Sequence, residues 1–120
     1  MLVEDETQLL VVAKDMLSTL GFTVLEAVNG REALELYQQN AARMTLVVTD
    51  IGMPVMDGYE LFRKLKALKP ALPIIISSGF GDSEVTSRIP QEEIAGMFSK
   101  PYRFNQLREV LKSVIVRGST

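Results

Sequence analysis

Short apolar runs alternate with segments of helical period along the whole chain. The runs are Leu2 to Val3, Phe22 to Leu25, Leu46 to Val48, Ile74 to Ile76, and Met97 to Phe98. This alternation predicts an α/β domain built on a parallel sheet. Between the first two runs, Leu9, Leu10, Ala13, Met16, Leu17 and Leu20 recur at helix spacing, and Gly21 follows as a C-terminal stop. Asn29 can cap a second helix, with Glu32 as its reciprocal partner and Ala33, Leu34 and Tyr37 as an apolar stripe. Asp57 and Glu60 repeat the device before Leu61, Phe62, Leu65 and Leu68, and Pro70 lies just past the end. From Asp82 to Ile89 only Val85 and Ile89 serve as anchors before Pro90, which predicts a short and mobile fourth helix. A fifth helix, about Asn105 to Val116, carries Leu107, Val110, Leu111, Val114 and Ile115 on one face, with Arg103 a poor cap.

With 120 residues, 47% of them hydrophobic, the chain fits one domain over residues 1–120 with a single core. A net charge of -2 supplies no basic stripe, which argues against direct nucleic-acid binding. Cysteine and histidine are both absent, which removes disulfides, thiolate and imidazole metal sites, and Ser-His-Asp triads. No apolar run approaches the roughly 20 residues of a membrane span, and Met1 to Glu6 turns acidic too early for a signal peptide. The expectation is a cytoplasmic domain without membrane contact of its own. Only three residues precede Glu4, so the chain reads as starting inside a longer first strand, and Arg117 to Thr120 reads as a linker stump.

Three strand ends carry charge: Glu4 and Asp5 after Val3, Asp50 after the run Thr45 to Thr49, and Lys100 after Met97 to Ser99. In an open parallel sheet, ligands gather beyond the carboxyl ends of the strands. Glu4, Asp5, Asp50, Ser77 or Ser78, and Lys100 are therefore expected on one rim. Three carboxylates so placed repel one another, and one lysine does not balance them. Hard oxygen donors without histidine or cysteine point to Mg²⁺. Magnesium shares phosphate oxygens readily, which makes Asp50 a candidate nucleophile forming an acyl phosphate. Lys100 and a Ser78 hydroxyl could stabilise the transferring oxygens, and Gly52 could lend its backbone carbonyl to the metal.

Four motifs, in order and over nearly the whole chain, carry a family resemblance. They are Val3-Glu4-Asp5-Glu6; Asp50 with Met53 to Gly58; Pro73 to Gly79; and Phe98-Ser99-Lys100-Pro101-Tyr102. Together they resemble the response-regulator receiver domain of two-component signalling. The resemblance implies a doubly wound, flavodoxin-like five-stranded sheet of order 2-1-3-4-5 with five helices. It implies phosphorylation of Asp50 by a partner histidine kinase or histidine phosphotransfer protein. Glu4 and Asp5 would be the acidic pair around Mg²⁺, with Asp5 the closer ligand. Ser78 would be the switch hydroxyl, Lys100 the phosphate-binding lysine, and Lys100 to Pro101 a cis peptide. The role implied is a regulatory switch rather than an enzyme, with the signal passing to the fourth helix, fifth strand and fifth helix. That same face could pair two copies, and the wording of the third and fourth motifs resembles receivers fused to hybrid sensor kinases.

The chain departs from the family pattern at Met97, where an aromatic is usual three residues before the lysine. Phe98 should point to the opposite face of its strand and so cannot replace it. Phe80 and Gly52 occupy positions that in the family flank the phosphate. Two other readings compete: an interaction module that is not phosphorylated, and an aspartyl-phosphate phosphohydrolase. The hydrolase usually needs a second carboxylate two residues after its nucleophile, where this chain has Gly52.

Overall fold

The computed structural model describes residues 1–53, 56–79, 82–100 and 103–118, without the side chains of 82–84 and 115–118. Its strands are β1 (Leu2–Val3), β2 (Glu26–Ala27), β3 (Val47–Asp50), β4 (Ile74–Ser78) and β5 (Gly96–Ser99). All pair in parallel in the order β2-β1-β3-β4-β5, the order that the resemblance implies. The helices are α1 (Thr7–Thr19), α2 (Gly30–Asn40), α3 (Gly58–Leu68), α4 (Asp82–Arg88) and α5 (Phe104–Gly118). From β1 the chain winds first to one side and then to the other, so strand order reverses between β1 and β3. In doubly wound sheets a crevice opens at that reversal.

The two faces of the sheet follow from side-chain alternation. Val3, Val47, Ile74 and Ile76 pack toward α2, α3 and α4 in one cluster with Tyr37, Phe62, Leu65, Val85 and Ile89. Leu2, Val48, Ile75 and Phe98 pack toward α1 and α5, against Leu10, Ala13, Leu17, Leu107 and Leu111. Burial on both faces explains why the strands read as continuous apolar runs rather than alternating ones.

The predicted stop at Gly21 and the predicted caps at Asn29 and Asp57 are present. Gly21 ends α1 with φ 97°, a left-handed conformation that glycine adopts without a Cβ penalty. Asn29 Oδ1 accepts the Glu32 amide at 2.8 Å, and Asp57 Oδ1 accepts the Glu60 amide at 2.9 Å. Asp57 is thus a cap. Helix α4 is short, as its spacing predicts, and ends before Pro90, which leads into a 3-10 turn at Gln91–Glu93.

Two boundaries differ from the sequence reading. The second apolar run, Phe22 to Leu25, precedes the paired strand, which is Glu26–Ala27. Phe22 and Val24 pack into the α1/α5 cluster, while the Leu25 carbonyl accepts the Leu2 amide at 2.8 Å. Burial thus selects the run, but pairing is set by the register Leu2 to Glu26 with a two-residue partner. Asp50 is the last residue of β3, paired with Ser77, rather than the first residue beyond the strand. Among the described residues, no helix is long and apolar enough to cross a membrane.

Candidate functional site

Strand parity brings the charged residues together. Leu2, Val48 and Phe98 face α1 and α5, so Glu4, Asp50 and Lys100, each two residues further on, emerge on that same side at the carboxyl rim. Lys100 follows β5, whereas Asp50 lies two strands away on β3 and Glu4 follows β1. Its side chain must therefore cross β4. On that face of β4 lies Ser77, in register with Asp50 on one side and with Phe98 on the other. A small side chain there leaves the path open. Sequence reasoning left Ser77 as an alternative hydroxyl and did not place it beside Asp50 in the sheet, because the register on both sides of β4 cannot be read from the run itself.

The Lys100 ammonium nitrogen lies 3.0 Å from Asp50 Oδ2 and 3.0 Å from Glu4 Oε1, with Glu4 Oε2 at 3.3 Å. Asp50 Oδ1 accepts the Ile51 amide at 2.8 Å and, more weakly, the Gly52 amide at 3.4 Å. Glu4 Oε2 also accepts the Glu6 amide at 3.2 Å. Glu4 is fully buried and Asp50 nearly so. Burial pushes the Glu4 carboxyl up, against the hydrogen bonds from Lys100 and the Glu6 amide that pull it down, and Asp50 adds to the rise. Burial alone would lower the Lys100 ammonium, but its hydrogen bonds to Asp50 and Glu4 outweigh that and raise it. The lysine is held charged.

Asp5 sits half-buried at the rim. One carboxylate oxygen from each of Glu4, Asp5 and Asp50 lies within 4.8 Å of the others. This is a set of three hard, anionic donors around a small volume, with one ammonium against three carboxylates. The donor chemistry and the charge imbalance fit a divalent cation such as Mg²⁺. Asp57, tied up as a helix cap, is not among the converging groups.

Ser78 is also buried, but on the opposite parity. It follows Ile76 toward the α2/α3/α4 side, where Met97, the register partner of Ile76, packs against the same cluster. Phe98 lies in the other cluster, as alternation predicts. Ser78 is tied to the rim through its carbonyl, which accepts the Lys100 amide at 2.9 Å. Met97, Thr86 and Ile94 line a cleft of about 550 Å³ beside α4. Phe80, Tyr102 and the Lys100 to Pro101 bond, singled out in the sequence, lie outside the described residues.

The chain has counterparts among known proteins. The family model described as response regulator receiver domain matches residues 1–112. The sensor kinase CckA of Brucella abortus is 33% identical over 115 residues, covering 96% of this chain and 12% of the kinase. A receiver domain from Clostridium thermocellum superposes with a TM-score of 0.89 at 27% identity, covering 98% of this chain and 94% of that one. The response regulator TrrA of Thermotoga maritima, solved in complex with Mg²⁺ and BeF, superposes with a TM-score of 0.83 at 26% identity, covering 94% of this chain and 95% of that one. The chain spans between 12% and 57% of the length of the first curated relatives it matches.

Proposed function

Because the chain belongs to the response regulator receiver domain family of two-component signalling, we propose that it is a phosphorylation switch whose acceptor is Asp50. The donor is a phosphohistidine on a partner histidine kinase or histidine phosphotransfer protein. The observation that carries this reading is the Lys100 ammonium held between Asp50 and Glu4, at 3.0 Å from each, inside a trio of carboxylates.

In the proposed step, an Asp50 carboxylate oxygen attacks phosphorus. The P–N bond to the donor imidazole breaks, the electron pair leaves with the nitrogen, and an acyl phosphate forms. Mg²⁺, held by Asp5, Asp50, Glu4 and the Gly52 carbonyl, would supply positive charge to the phosphoryl oxygens. The amides of Ile51 and Gly52 fix the Asp50 carboxylate from one side. Lys100, already hydrogen-bonded to Asp50, follows the charge as it moves onto the phosphoryl group. The Ser78 hydroxyl donates to a phosphoryl oxygen and draws the end of β4 toward the site. Because Ser78 shares its face with Met97, that shift reaches the cleft beside α4, and the face of α4, β5 and α5 carries the output. Water attack on phosphorus later returns the carboxylate. The role is regulatory, within a cytoplasmic domain spanning residues 1–120.

Incubation with Mg²⁺ and acetyl phosphate, followed by intact-mass measurement, tests the reading. One phosphoryl adduct is expected, absent without Mg²⁺ and absent in Asp50→Asn. An unmodified mass under donor excess would replace it with the unphosphorylated interaction module.

A further inference from the structure

The loop that follows Asp50 is pressed from two sides by the first turns of two helices, and each contact is made through a glycine. Gly58 opens α3, and its amide donates to the Ile51 carbonyl at 2.9 Å. A Cβ at Gly58 would fall on the Asp50 carbonyl oxygen and 2.6 Å from Ile51 Cα. Gly30 opens α2, and its amide donates to the Met56 carbonyl at 3.2 Å. A Cβ there would lie 2.5 Å from that oxygen and 2.9 Å from Met56 Cβ and Cγ. Neither glycine has a positive φ, unlike Gly21. What these positions demand is space rather than unusual backbone angles. At each glycine the nearest obstructing atom is a backbone carbonyl oxygen, of Met56 at Gly30 and of Asp50 at Gly58, and backbone yields less readily than the tip of a flexible side chain.

We propose that Gly30 and Gly58 are positioning residues for the phosphoacceptor. By lacking side chains they let α3 close on Asp50 and Ile51 and α2 close on Met56, and so set the Asp50 carboxylate and the Gly52 backbone. Asp50 Oδ1 is bonded to amides of this same segment, at Ile51 and Gly52. A loop pushed outward by a methyl group therefore turns the carboxylate away from Lys100 and alters the cation site. The inference rests on the phosphoacceptor reading for its consequences in phosphorylation, but its effect on the Asp50 to Ile51 hydrogen bond is independent of that reading.

Gly96 provides an internal control. A Cβ on it would meet Val110 Cγ1 at 2.6 Å, a steric pressure of similar size on β5 rather than on the loop. The test compares Gly30→Ala, Gly58→Ala and Gly96→Ala, each verified as folded by circular dichroism. Three quantities are measured: exchange of the Ile51 amide by NMR without metal, Mg²⁺ affinity by calorimetry, and the rate of acetyl phosphate labelling at saturating Mg²⁺. Gly30→Ala and Gly58→Ala should speed Ile51 exchange and weaken Mg²⁺ binding roughly tenfold, the scale of losses when groups supporting a metal site are disturbed. Gly96→Ala should lose stability yet stay within about twofold of the unaltered protein in all three, as distant sites act independently. If Gly58→Ala does not fold, Gly30→Ala decides, since its contact is with the far end of the loop. A folded Gly30→Ala with unaltered Ile51 exchange and Mg²⁺ affinity overturns the inference, as does an equal loss in Gly96→Ala. An unaltered protein that binds no Mg²⁺ would instead overturn the phosphoacceptor reading, and the Ile51 exchange rates would still judge the positioning role.

Discussion

Lys100 and Glu4 stand 96 positions apart in the sequence, yet the lysine ammonium lies 3.0 Å from Glu4 Oε1. Because Glu4 is fully buried, removing the ammonium takes away the positive charge 3.0 Å from its carboxylate while the Glu6 amide still donates to it. Lys100→Met, which keeps the stem but drops the charge, should destabilise the protein by roughly 1–3 kcal/mol. Mg²⁺ should restore more stability to the variant than to the unaltered protein, because it supplies the missing positive charge. Urea titrations with and without Mg²⁺ check this; equal metal stabilisation in both proteins would contradict it.

The same burial gives Glu4 a pH signature. Its folded pKa is raised above the ordinary carboxyl value of 4.5, first by burial. The fold therefore binds the Glu4 proton more tightly than the unfolded chain does. That contribution to stability is present in full below 4.5 and is lost as pH rises through the raised folded value. At neutral pH the charged Glu4 is a stability cost kept for the site. Glu4→Gln should raise the unfolding free energy at pH 7 by about 0.5–2 kcal/mol, and by much less at pH 4, while weakening Mg²⁺ binding. A pH series of urea midpoints for both proteins shows whether the gain grows with pH.

Ser77 and Ser78 are neighbours on β4 but point to opposite faces, so they make separable predictions. Ser78→Ala should slow acetyl phosphate labelling roughly 100-fold, the scale of a lost oxyanion donor, with Mg²⁺ affinity kept. Ser77→Ala should leave labelling nearly unchanged, whereas Ser77→Leu should block the path of Lys100 and slow it. Rates from timed intact-mass spectra separate the two; a greater loss in Ser77→Ala than in Ser78→Ala would reassign the switch hydroxyl.

Arg88, in the last turn of α4, stacks its guanidinium over the Tyr59 ring of α3 at 3.6 Å. With so few apolar anchors in α4, this contact holds a larger share of the helix than usual. Arg88→Ala should cost about 1 kcal/mol and raise amide exchange in α4 more than in α3. Hydrogen exchange read by mass spectrometry provides the check, and uniform exchange change across both helices would count against a local clamp.

How much of this was legible in the sequence depended on whether the signal was local. Helix caps at Asn29 and Asp57, the stop at Gly21 and the brevity of α4 follow from neighbouring residues, and the structure reproduces them. The convergence of Glu4, Asp5, Asp50 and Lys100 was legible because the carboxyl-end rule turns strand order into proximity. The extent of β2 was not, since Phe22 to Leu25 is apolar enough for a strand while pairing falls one step later at Glu26–Ala27. Nor were the register of Asp50 with Ser77 and the closeness of Gly58 to the Asp50 backbone. Both depend on register and helix approach, which no run of residues encodes alone.

The central claim is that Asp50 itself carries the phosphoryl group, and borohydride trapping tests it most directly. Borohydride reduces an acyl phosphate to the alcohol, which converts a phosphorylated aspartate into homoserine. After labelling with Mg²⁺ and acetyl phosphate, reduction and peptide mapping should place homoserine at position 50 and leave Glu4, Asp5 and Asp57 unmodified. Reduction at another carboxylate, or none at position 50 under donor excess, would contradict the account.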